Sequence, residues 1–239
     1  MSWVTNSVAE AITQLGEAVE RRCAGHAFPE TTQLVRTPVA LMFVRGDRAE
    51  PGATLARQVV SSFGYWNHES QEYLDLVFFG WFKDGVDVGF QGHDGARIFR
   101  DCCEEIQAMS RWRYSGETDI LLVDFDVAVT RDRHVDPTSG AFSFKHCIYL
   151  PVEKMIAEHR VRSLDALVTE LVRAAETVYR ASPHKGSIFE VSDRVAWTRG
   201  RKSIWDTLRK VILGDWSRVY DELRPFAVCD LRVRSSEAV

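Results

Sequence analysis

From Val4 to Arg22 the apolar residues Val4, Val8, Ile12, Leu15 and Val19 recur at three- and four-residue spacing. That spacing predicts a helix with one apolar face, its start capped by Asn6 or Ser7. "TPVALMFVRG" then reads as a short apolar strand closed by Gly46, and 54–63 as a short helix. "EYLDLVFFGWF" is apolar on both alternating faces, the pattern of a strand covered on both sides. After the glycine-rich stretch "GVDVGFQGHDG", Ile98, Phe99, Cys102, Ile106 and Met109 mark a helix over 96–112.

The second half begins with the apolar run "DILLVDFD", residues 119–126, and continues to "VDPTSGAFSFKHCIYLP". "DPTSG" is a turn signal between two β-forming runs, so a long antiparallel hairpin is expected near 119–150. Ser163 caps a helix supported by Leu164, Leu167, Leu171, Val172 and Val178. "SIFEVSDRVAW" predicts one more strand, and Ile204, Leu208, Val211, Ile212, Val219 and Leu223 a C-terminal amphipathic helix over about 202–226. Strands and helices interleave without repeat, linker or low-complexity tract. The expectation is therefore one globular domain over 1–239, an α/β or α+β sandwich whose mixed sheet is flanked by helices.

Composition changes this picture little. The 239 residues are 45% hydrophobic and 27% charged, as in ordinary globular proteins, and a net charge of −4 gives no global field for nucleic acid or an anionic membrane. No apolar run approaches a membrane span. Five scattered cysteines, without paired or finger spacing and without a secretory signal, point to a reducing cytoplasm. Arginine outnumbers lysine 24 to 6, which reads as the codon bias of a GC-rich bacterial genome.

Candidate chemistry centres on the carboxylates of 119–126. Ile120, Leu122, Asp124 and Asp126 share one strand face, so two carboxylates project side by side at its end. An apolar strand followed by Asp-x-Asp resembles the first motif of the Mg²⁺-dependent phosphatases of the haloacid dehalogenase superfamily. The resemblance implies Asp124 as nucleophile and Asp126 as acid/base. Here the motif follows half the chain and lacks a downstream acidic pair. A second resemblance uses the hairpin. "GETDILLVD" followed by "FSFK" is similar to the metal-dependent nuclease core that sets an Asp on one strand and Glu-x-Lys on the next. It implies Asp119 as metal ligand, Lys145 as stabiliser of the attacking hydroxide, and Glu104 or Glu105 from the preceding helix. Ser143 stands where that motif has its Glu, which removes a ligand. The structural reading is that Asp119 begins a strand, Asp124 and Asp126 lie where it leaves the core, and Lys145 is solvated.

The glycines of "GVDVGFQGHDG" lack both the dinucleotide spacing and the phosphate-binding lysine, and His68–Glu69 and His93–Asp94 have no second ligand cluster. Residues 194–218 hold seven basic residues against two acidic ones, interleaved with tryptophans. Trp197, Arg199, Arg201, Lys202 and Trp205 are thus candidate binding residues, for nucleic acid if the aromatics stack on bases. No constellation combines nucleophile, base and electrostatic stabiliser, so enzymatic status is undecided by the sequence. The leading expectation is a cytoplasmic bacterial domain that binds a macromolecular partner, a protein or a second copy of itself. It requires no metal or cofactor, and Mg²⁺ enters only with the nuclease or phosphatase alternatives.

Overall fold

The computed structural model describes residues 2–23, 33–47, 52–70, 73–82, 90–130, 135, 139–181 and 228–229. Its chain order is β1 (Ser2–Val4), α1 (Val8–Cys23), β2 (Gln33–Arg45), α2 (Gly52–Ser70), β3 (Asp75–Phe82), β4 (Phe90–Gln91), α3 (Gly92–Met109), β5 (Asp119–Val129), β6 (Ala141–Pro151), α4 (Val152–Ala157), α5 (Leu164–Ala181) and β7 (Val228–Cys229). The strands form one mixed sheet in the order β1-β3-β2-β5-β6-β7, with β4 beside the end of β3. β1, β2 and β4 run parallel to β3, whereas β5 is antiparallel to β2, β6 to β5, and β7 to β6. The mixed sheet with flanking helices and the 119–150 hairpin agree with the sequence expectation.

Side-chain alternation along the central strands feeds two apolar layers. On one face Ala40, Met42, Leu76, Phe78, Ile120, Leu122, Ile148 and Leu150 pack against Val59 and Trp66 of α2, Met155 of α4, and Leu167, Leu171 and Val178 of α5. On the other, Leu41, Phe43, Val77, Phe79, Leu121, Val123 and Phe125 pack against Leu15 and Val19 of α1 and Phe99, Cys102 and Ile106 of α3. Helices on both faces are the reason the central strands read as near-continuous apolar runs.

Several boundaries differ from the sequence reading. Val4 closes a three-residue strand paired with Phe78, and α1 starts only at Val8. Ser7 caps it: its Oγ accepts the Glu10 N–H at 3.1 Å, and the Glu10 carboxylate accepts the Asn6 N–H at 2.7 Å, a variant of the reciprocal capping box. α2 runs to Ser70 rather than ending near Phe63, and the six-residue α4 was not expected. Ser163 does cap α5, its Oγ accepting the Ala166 N–H at 3.2 Å. The hairpin contains a slip. Val123 pairs with Cys147 but Asp124 with Ser143, which leaves 144–146 of β6 unpaired with β5. The predicted strand at 187–197 and the helix at 202–226 lie outside the described residues.

Candidate functional site

β2 and β3 are adjacent and parallel, yet the helices that follow them, α2 and α3, lie on opposite faces. The C-terminal ends of such strands are where open α/β sheets place ligands. Asp119 belongs to this end, because it pairs with Phe43 near the end of β2 and with Pro151 at the end of β6. It faces the α1/α3 side and has no exposed surface. The Ser115 hydroxyl donates to its Oδ1 at 2.8 Å, the Tyr149 hydroxyl donates to the same oxygen at 3.0 Å, and the Ser115 N–H donates to Oδ2 at 2.9 Å.

The surroundings are aromatic. Phe43 lies 4.5 Å from Trp112 and 5.0 Å from Phe79 between ring centroids, and Tyr114 meets Phe99 edge-on. Burial pushes the Asp119 carboxyl up to about 6 against the opposing pull of the donors from Ser115 and Tyr149. Burial also raises the Tyr149 phenol and the Cys103 thiol, and in each the Asp119 charge adds to the effect. Cys102 rises to about 12 and Cys23 to about 11, again by burial, so these thiols are protonated and inert. Cys23, Cys102, Cys103 and Cys147 are all buried.

The connection from α3 to Asp119 is closely tied. The Ser110 hydroxyl donates to the Ile106 carbonyl and accepts the Trp112 N–H, and Arg113 donates to the carbonyls of Gln107, Ser110 and Trp112, closing the helix C-terminus. At its far end the Glu153 carboxylate accepts from both the N–H and the hydroxyl of Thr118. Nearby, Arg45 at the end of β2 forms a two-point pair with Asp47 at 2.6 and 3.0 Å. That hydrogen bond is the main reason its guanidinium is held more firmly charged.

Asp124 and Asp126 do share a face, toward the opposite end of the sheet. Arg36 of β2 lies across from Asp126 and grips it at two points, 2.6 and 2.9 Å, while its Nε is 3.9 Å from Asp124. Asp124 is buried, and Arg36 is partly exposed. The hydrogen bond to Asp126 is the leading cause that holds Arg36 charged, ahead of desolvation, which opposes it. One guanidinium therefore faces both carboxylates, gripping Asp126 through paired N–H donors as planar Arg suits and approaching Asp124.

The nuclease-like set is not assembled. Lys145 is exposed in the unpaired stretch of β6, beyond the rung that joins Cys147 to Val123. Val123 is four residues from Asp119, so the two are about 13 Å or more apart along the strand direction at ~3.3 Å per residue. Glu104 and Glu105 are exposed on α3. Among the described residues no group of three or more His, Cys, Asp or Glu side chains could hold a metal ion. Trp197, Arg199, Arg201, Lys202 and Trp205, with the basic 194–218 segment, lie outside the described residues. No described helix is long and apolar enough to cross a membrane.

No family model, curated protein or solved structure matches this chain. Sequence reasoning missed Arg36, Ser115 and Tyr149, which decide what the aspartates do. For Arg36 a signal existed. It shares strand parity with Ala40 and Met42, which put a charge on the face carrying Asp124 and Asp126.

Proposed function

We propose that this chain acts by binding another protein. One observation carries the reading: the carboxylates best placed for chemistry are already engaged by the fold. Arg36 takes Asp126 and stands 3.9 Å from Asp124, and Ser115 and Tyr149 donate to both oxygens of Asp119. Large apolar side chains meanwhile stand in solvent, Leu34 at 58% and Tyr65 at 55% exposure. Leu34 lies on β2 two residues before the Arg36–Asp126 pair, on the same strand face, so the exposed end of β2 presents an apolar group beside a charged pair. Tyr and Arg are residue types that dominate protein-binding hot spots.

The experiment compares wild-type protein with Leu34→Asp, Tyr65→Ala and Asp124→Asn/Asp126→Asn. Chemical cross-linking in cell extract is followed by reconstitution with the purified partner, and light scattering reports self-association. The reading expects a stoichiometric protein complex, weakened at least tenfold by Leu34→Asp or Tyr65→Ala and retained by the double Asn variant. Mg²⁺-dependent cleavage of a nucleic acid or phosphate ester by the purified chain, lost in Asp119→Asn, contradicts it and favours the hydrolase alternative. Binding confined to nucleic acid contradicts it in favour of the basic 194–218 segment.

A further inference from the structure

β2 outruns its parallel neighbour. It pairs with β5 from Gln33 to Phe43, but with β3 only from Val39 onward. The shortfall has a local cause. The N–H groups of Tyr73 and Leu74, just before β3, donate back to the Ser70 carbonyl of α2 at 2.9 and 3.3 Å, and Pro38 has no N–H to offer a strand beside it. Among the described residues, no strand stands beside 33–38 on the β3 side, and the Arg22–Asp75 pair closes the upper end of this open lane.

The next strand fixes which backbone groups face the lane. The Ala128 N–H of β5 donates to Ser139 Oγ at 3.0 Å, on the β6 side, and so points away from β2. Its rung partner Leu34 therefore points away from β5, and alternation does the same for Arg36 and Pro38, while Val35 and Thr37 point into the β5 ladder. Leu34 and Arg36 each turn an N–H and a C=O into the lane. Their side chains share one face of the sheet, where Leu34 is exposed and Arg36 partly so. Arg36 already grips Asp126 at two points, so an incoming strand meets an ion pair rather than a lone cation. Edges of this kind are templates for another chain.

We propose that this edge is completed by the same edge of a second copy of the chain, β2 against β2, antiparallel about a two-fold axis at Val35. The proposal rests on the protein-binding reading and names its partner. Opposed residues of antiparallel strands share a face, and only residues that point into the lane can exchange hydrogen bonds across it. With Val35 opposite Val35 of the second copy, each Leu34 lies against the second copy's Arg36, and all the N–H and C=O groups that these residues turn outward are paired. The arginine stem covers the exposed leucine. Pro38 falls beyond the last rung, where its missing N–H costs nothing. A shift of the axis to Arg36 would oppose two like charges directly, and a shift to Leu34 would leave Arg36 outside the ladder formed by 33–38. The contact is closed by its own symmetry, so it gives a dimer rather than a fibre.

Sedimentation velocity of the full chain from about 1 μM to about 1 mM, with hydrogen exchange at both ends of that range, tests the pairing. The dimer should grow with concentration, and the protection of the Leu34 and Arg36 amides should grow with it, while the Val35 amide, held by β5, stays as it is. Leu34→Pro removes an outward N–H without touching the β5 ladder and should leave a monomer throughout. Leu34→Lys sets a like charge against each Arg36, twice over by symmetry, and should raise the dissociation constant roughly tenfold. It decides the matter if Leu34→Pro does not fold. A chain still monomeric at about 1 mM, Leu34 and Arg36 amides equally protected at both concentrations, or a dimer as tight in Leu34→Lys as in the wild type overturns the pairing. The protein-binding reading outlives that result if a complex with a different protein forms and is weakened by Leu34→Asp, and falls with it if no protein complex forms.

Discussion

Replacing Asp75 by alanine should be among the most damaging single changes in this protein. Asp75 opens β3 with a fully buried side chain and meets Arg22, at the end of α1, at 2.6 and 3.2 Å. The Arg22 side chain is itself only 5% exposed, so removing Asp75 takes a two-point counter-charge from a guanidinium inside the protein. Breaking a buried pair from one side costs about 3–5 kcal/mol, a large part of the ~5–15 kcal/mol that keeps a domain folded. At this chain length about 2–4 °C of melting temperature goes with each kcal/mol, so a fall of roughly 6–20 °C is expected. Because the charges are shielded from solvent, the loss should persist in high salt. Urea unfolding followed by circular dichroism measures it. Arg22→Met keeps the apolar stem, and the Arg22→Met/Asp75→Leu double variant should recover most of the stability, since replacing both members of a buried pair by packed apolar groups is often neutral or better. The reasoning is refuted if Asp75→Ala costs under about 1 kcal/mol, or if the effects of Arg22→Met and Asp75→Leu simply add within ~0.5 kcal/mol.

Gly80 of β3 leaves room for the Phe78 ring, whose edge occupies the space a Cβ would need, and Phe63 of α2 packs on that ring at 5.8 Å. Gly80→Ala should therefore overpack the α2 layer by about 1–3 kcal/mol, read as a lower urea midpoint at unchanged slope. Ser7→Ala removes the acceptor for the Glu10 N–H and should cost about 1 kcal/mol in the same assay, whereas Ser7→Asp should cost little.

The elements legible in the sequence are those whose cause is local. Alternation along 119–126 put Asp124 and Asp126 on one face with Ile120 and Leu122, and the structure keeps them there. The Ser163 cap and the apolar stripe of α3 were readable for the same reason. What escaped depends on distant partners. Ser2–Val4 is too short to show a period and is a strand only because β3 offers an edge. Arg36 reaches Asp126 across 90 positions of sequence, so a carboxylate pair that resembled a phosphatase motif could not be seen to carry its own counter-charge. The hairpin register, with Pro151 opposite Asp119, likewise left Lys145 away from Asp119, and alternation along one strand says nothing of register.

The account rests on these carboxylates being engaged by the fold, and the most direct test is thermal unfolding with and without millimolar Mg²⁺ or Mn²⁺. A metal bound only to the native state stabilises it by mass action, about 2.7 kcal/mol at a hundredfold excess over its dissociation constant. With Arg36 on Asp126 and Ser115 and Tyr149 on Asp119, the melting temperature should be the same with metal as without. A clear upward shift, abolished by Asp119→Asn or Asp124→Asn, would contradict the account and restore a metal-dependent hydrolase as the reading of this chain.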